Sequence, residues 1–246
     1  MKTVMKNSSN TSSPIVNKSL AATGLIAASI LLSACGNQPP APDWVLTAEA
    51  SADKATSAYL QGQQRVQDLQ WQKARTAVAS TARPDIAALM ELKRCAAQVA
   101  SLEWDECPGF QKLAQDAPPA EQAYARYLTG KVQAADVSLL PEAQRAVAAR
   151  VAAGALSVGA GAQEAAAIKE PLSRLLAAAV LLRAGAASPE LLKLGVDTAS
   201  AQGWNRPLMA WLLLQAKAAE QAGDGSSATA IQRRLDLLQS AGTLKK

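Results

Sequence analysis

Residues 171–203 read PLSRLLAAAVLLRAGAASPELLKLGVDTASAQG. A proline opens each half (Pro171, Pro189) and a glycine closes it (Gly185, Gly203). Proline fits the first turn of a helix because the amide it lacks would have no partner there. Glycine fits just past the last turn because it tolerates left-handed backbone. The residues between them are mostly Ala and Leu, strong helix formers and weak strand formers. The spacing therefore predicts helices over Leu172–Ala184 and Pro189–Gln202.

The same punctuation recurs outward in both directions. Toward the N-terminus it predicts helices over Ala48–Gly62, Arg65–Thr81, Pro84–Leu102, Pro108–Gln115, Ala120–Leu128, Glu142–Ala153 and Ala162–Ile168. Toward the C-terminus it predicts Pro207–Ala222 and Ser226–Leu238. No segment alternates as a strand would. The chain is 49% apolar but holds only one Phe, so its core is built from Ala, Leu and Val, which suits closely packed helices. The expected fold class is all-α, an array of antiparallel helix pairs.

Residues 1–34 read differently. Lys2, Lys6 and Lys18 give a positive start, with Met5 a possible second initiation point. Leu20–Ala34 is then an apolar run too short for a confident membrane span. These three lysines face no acid, which leaves 22 basic against 20 acidic residues downstream, so the body carries about +2 rather than the +5 of the whole chain. With no basic run interleaved with aromatics, nucleic-acid binding has no support. There is no histidine. Catalytic triads, metal sites and proton relays that need one are thereby excluded, and no cofactor or metal is expected.

Leu32-Ser33-Ala34-Cys35 ends the apolar run and is followed by Gly36. It resembles the lipobox of bacterial lipoproteins. The resemblance implies cleavage before Cys35, a diacylglycerol on its thiol and acylation of the new amine. Two or more chains anchor stably, since each buried methylene contributes ~0.8 kcal/mol. Gly36 rather than Asp at the next position is similar to the outer-membrane pattern of Gram-negative lipoproteins. The implied location is the periplasmic face of the outer membrane. Residues 35–43, with Pro39, Pro40 and Pro42, read as a semi-rigid tether, and residues 44–246 as the helical body. Gly154–Gly161 is a possible joint between two lobes. Its glycines lack the preceding strand and following Gly-Lys-Ser/Thr of a phosphate loop.

In that oxidising compartment Cys95 and Cys107 are expected to pair, with two buried thiols as the alternative. Glycine spacing resembles tetratricopeptide repeats weakly. Gly223-Asp224 is followed by Ala228, Gly130 by Ala135 and Leu139, and Gly62 by Trp71 and Ala74, although Gln67 stands where a small residue is expected. Gly62 and Gly130 lie 68 residues apart, twice the 34-residue period. The resemblance implies stacked helix pairs whose small residues allow close approach.

Chemistry is sparse. Asp105-Glu106 beside Trp104 offer an acid pair, or a solvated turn cap. Glu103 with those acids lacks the spaced oxygens of a calcium loop. Lys169 and Ser173 mimic a Ser–Lys pair if they share a helix. Trp204, Trp211 and Leu212–Leu214 form the densest apolar cluster. Trp204 and Arg206, and Tyr124 with Tyr127, are the candidates for contact with a partner. The function expected by analogy of fold is a non-catalytic scaffold that binds another envelope protein or peptide. The rival expectations are an enzyme acting on peptidoglycan and a small-ligand-binding lipoprotein.

Overall fold

The computed structural model describes residues 41–154 and 156–243. The expected leader and Cys35, the expected lipid site, lie outside the described residues. Among the described residues the chain is all-helical. Eleven α-helices follow in order: α1 Asp43–Leu60, α2 Gln64–Ala79, α3 Pro84–Ala100, α4 Pro108–Gln111, α5 Pro119–Leu128, α6 Glu142–Ala152, α7 Ala162–Ala167, α8 Pro171–Arg183, α9 Pro189–Ala201, α10 Asn205–Gln221 and α11 Gly225–Thr243. A 3-10 helix, Ala134–Leu139, stands between α5 and α6. None of these helices is long and apolar enough to cross a membrane.

The expected punctuation is realised. Pro84, Pro108, Pro119, Pro171 and Pro189 each sit in a first turn. Gly130 (φ +71°) and Gly185 (φ +95°) turn the chain out of α5 and α8 in left-handed backbone, which a side chain would strain. Ser188 caps α9 by accepting the Leu191 amide at 3.2 Å, and Glu170 caps α8 by accepting the amides of Leu172 and Ser173. The first helix departs from expectation. It begins at Asp43 rather than Ala48, with Pro42 as its cap, so the helical body starts one residue inside the expected tether.

Helix α8 is the axis of the fold. Leu175 to Leu181 are all buried, as a helix apolar on every side must be. It packs against α3, α6, α7 and α9. One apolar cluster runs from Ala88 on α3 to Leu235 on α11 and takes in Val151 and Ala165. The helices before and after 154–161 therefore share one core. A smaller cluster sets Ala48, Ala52 and Ala55 of α1 against Trp71, Ala74 and Val78 of α2 and Met90 of α3. Alanines on α1 leave the room that the Trp71 indole fills.

Consecutive helices pair at α1–α2, α9–α10 and α10–α11. Other contacts reach far along the chain: α3 lies on α8, and α1 reaches α10. A strictly linear stack, in which each unit touches only the next, makes no such contacts.

In the interior of α9, Gly195 is set by packing. A Cβ built there would lie 2.2 Å from Cε3 of Trp211. The Trp211 ring is fully buried and donates its Nε1–H to the Ala100 carbonyl at 3.0 Å. The missing methyl is thus what admits the largest side chain of the core, against a helix-propensity cost of about 1 kcal/mol.

Candidate functional site

Two surfaces stand out. The first is the loop 102–107. Cys95, inside α3, and Cys107, the residue capping α4, form a disulfide with Cα atoms 5.6 Å apart, so the expected pairing is present. Leu102 (φ +61°) and Cys107 (φ +51°) are both left-handed, and they bend the loop back toward α3. Asp105 Oδ1 accepts the Cys107 amide at 2.9 Å, which closes a local turn. Arg183, from the end of α8, donates to the carbonyls of Asp105 (3.5 Å) and Leu128 (3.3 Å) and to Glu106 Oε1 (3.1 Å). Lys131 also faces Glu106, at 3.6 Å. Arg206 holds Glu103 at 3.2 Å. Each exposed ion pair is weak alone. Together with the disulfide they fix the backbone on both sides of Trp104, whose side chain remains 43% exposed.

Asp105 and Glu106 are thus spent on a turn and on cations, as the solvated-cap reading has it. The ligand atoms of Cys95, Asp105 and Cys107 lie within 4.8 Å of one another. Both sulfurs are consumed by the disulfide, and only a thiolate binds metal well. Lys169 and Ser173 do not share a helix, because Lys169 precedes Pro171 and α8 starts after it.

Of the residues expected to meet a partner, Tyr127 is inside, and Tyr124, Trp204 and Arg206 are half-buried. Tyr127 is fully buried and donates its hydroxyl to Gln144 Oε1 at 2.5 Å, while Gln144 donates to the Ser173 carbonyl at 3.0 Å. It joins α5, α6 and α8 and presents no surface. Tyr124 is half-buried and stacks on Tyr127 with ring centroids 6.2 Å apart. Burial pushes its phenol well above the ordinary value. Trp204 is half-buried against the cluster of Tyr59, Leu60 and Ala97. Arg206 donates through Nε to the Tyr59 carbonyl (3.0 Å) and through Nη2 to Gln64 (3.2 Å), besides its bond to Glu103. Its guanidinium also lies 4.4 Å from the Tyr59 ring centre. Arg206 is an internal clamp between α10 and the α1–α2 turn. Its type matched a contact residue, but its partner lies 147 positions away, beyond the reach of sequence spacing.

The second surface is a groove of about 600 Å³ between the start of α9, the second half of α10 and α11. Its walls are mostly small and apolar, with Ala218 on α10 and Ala222 at its C-terminal cap, Ala230 and Ile231 on α11, and Leu192 on α9. Gln215 lines it, and the Gln215 Oε1 atom is buried without a donor. Asp224 stands just before the first turn of α11 and Arg234 at the middle of that helix. Sequence reasoning passed over it, although one signal was there. Positions 215, 218, 219 and 222 repeat the i, i+3, i+4, i+7 spacing of positions 227, 230, 231 and 234. A shallower hollow of about 480 Å³ lies beside Gly159 and α9, where Lys193 pairs with Asp197.

No known protein family, curated protein sequence or solved structure matches this chain.

Proposed function

We propose that the chain is a lipid-anchored scaffold on the periplasmic face of the outer membrane, whose helical body docks another envelope protein or peptide. Leu32-Ser33-Ala34-Cys35 supports the anchor, and the glycine spacing supports a tetratricopeptide-like origin of the helix pairs. The observation that carries the reading is Trp104. A large aromatic side chain is held out to solvent by a loop braced with a disulfide, two arginines and a lysine. Such a group loses little freedom on binding, and tryptophan is the residue type most enriched among dominant interface contacts.

The test is site-specific photo-crosslinking in intact cells. A photoreactive residue at position 104 is expected to trap one envelope protein. The same residue at the exposed Leu69 on α2 is expected to trap none, and Cys95→Ser/Cys107→Ser is expected to weaken the trap. Equal labelling from both positions would overturn the reading, as would clearing of cell wall in a zymogram of the purified protein. The anchor has its own test. Cys35→Ser is expected to leave the leader uncleaved and to remove lipid labelling.

A further inference from the structure

The groove along α10 and α11 is a second, separate surface, and its charges suggest what occupies it. Asp224 stands at the start of α11, where it accepts the Ser227 amide at 3.0 Å. Arg234 lies ten residues further on, about 15 Å along the helix. The Arg234 side chain makes no hydrogen bond or ion pair with any described residue. Between the two, the face that lines the groove carries Ser227, Ala230 and Ile231. Leu237, 71% exposed, stands two turns on from Ala230 on the same side of the helix.

We infer that this groove is the interface of a homodimer, in which α11 of a second copy lies antiparallel along it. A two-fold axis maps a surface onto itself, so a two-fold interface must be self-complementary. One acid just before the first turn of α11 and one base at its middle, ten residues on, meet that requirement without further residues. Asp224 of each copy faces Arg234 of the other. The axis then passes near Thr229 and Ala230, where the small side chains of Ser227 and Ala230 let the helices approach closely. Leu237 of each copy comes level with the Ala222 end of the other's groove, where its exposed side chain covers apolar surface. α10 and α11 of the two copies together make a four-helix layer.

The full chain, extracted in detergent, is read by native mass spectrometry and sedimentation. A species of twice the chain mass is expected. Asp224→Arg and Arg234→Glu each place two like-charged pairs across the interface, and each is expected to weaken the dimer at least about tenfold. The double variant, with the charges exchanged, is expected to restore it. Ala230→Cys is expected to form a cross-linked dimer under mild oxidation. Circular dichroism verifies that each variant keeps its helix content. A monomer at all concentrations would overturn the inference, as would a dimer indifferent to both single reversals or a double variant that stays weak. Occupancy of the groove by a different polypeptide would overturn it as well.

Discussion

The α1–α2 pair and the body around α8 are both helical, both rich in alanine, and held in different ways. Around α8 the core includes Trp211, Tyr127 and a run of leucines from several helices, all out of water. The α1–α2 pair buries Trp71 and Val78 over alanines, with Met90 of α3 against them, a small apolar set. Its attachment to the rest leans on polar ties. Arg75 grips Glu91 of α3 through two bonds of 2.6 and 2.9 Å, and Arg206 clamps the turn between α1 and α2. The body is secured by removed apolar area, which is non-directional and cooperative. The pair adds to a small apolar seat, where Tyr59 and Leu60 meet Ala97 and Trp204, a few directed bonds, each worth about 1 kcal/mol and each removable by itself.

The largest effect is expected in the body. Trp211→Ala should cost roughly 3–5 kcal/mol, through the cavity it leaves and the Ala100 carbonyl it strands. Gly195→Ala should cost about 1–3 kcal/mol by overpacking the same contact. Denaturant unfolding measures both, and a neutral Gly195→Ala would mean that the indole is not seated there. Next comes the staple. Replacing Cys95 and Cys107 with serine should cost roughly 2–4 kcal/mol, with hydrogen exchange rising first in loop 102–107. The sharpest test of the contrast is Arg206→Ala. It should cost about 1–2 kcal/mol in total, yet raise amide exchange across α1 and α2 while α8 stays protected. Uniform loss of protection would erase the distinction between the regions.

The smallest effect concerns pH. Asp136 is buried and paired with Arg126 at 2.5 and 2.9 Å, and it also accepts the Gln133 amide. The hydrogen bonds from the Arg126 guanidinium, foremost, hold its carboxyl below the usual carboxylate range. A carboxyl that is more acidic in the folded chain than in the unfolded one adds stability at neutral pH. That stability falls away as pH drops below the unfolded value of about 4 and on through the folded one. The difference in melting temperature between the parent and Asp136→Asn should therefore be present at pH 7 and shrink in acid. A difference constant with pH would assign the effect to packing.

Helix boundaries were legible because proline and glycine act within one or two residues of where they stand. Most predicted ends agree with the structure to within a few residues. The 3-10 helix was missed because its signal is a reciprocal cap between Gln133 and Asp136, with no apolar period to announce it. The disulfide was legible from the cysteine count and the expected oxidising compartment. Whether Tyr127 and Arg206 face outward or pack inward was not, since an aromatic or arginine has the same letter on a surface and in a core. Tyr127 became core through Gln144, and Arg206 became a clamp through Tyr59. Trp104 stands exposed for the converse reason, because its neighbours in sequence are tied down elsewhere. The groove and the seating of α3 on α8 depend on which helices meet, which no local spacing encodes.

The clamp at Arg206 bears on the order in which the molecule is completed. The α1–α2 hairpin rests on contacts between chain neighbours and forms early. Its seat on the body requires a residue 147 positions downstream. Closing so long a span is entropically slow compared with local pairing. The segment made first is therefore expected to be the last to settle into place. Until it does, the Trp71 hairpin is a free-standing piece, open to proteases and to whatever accompanies the nascent chain.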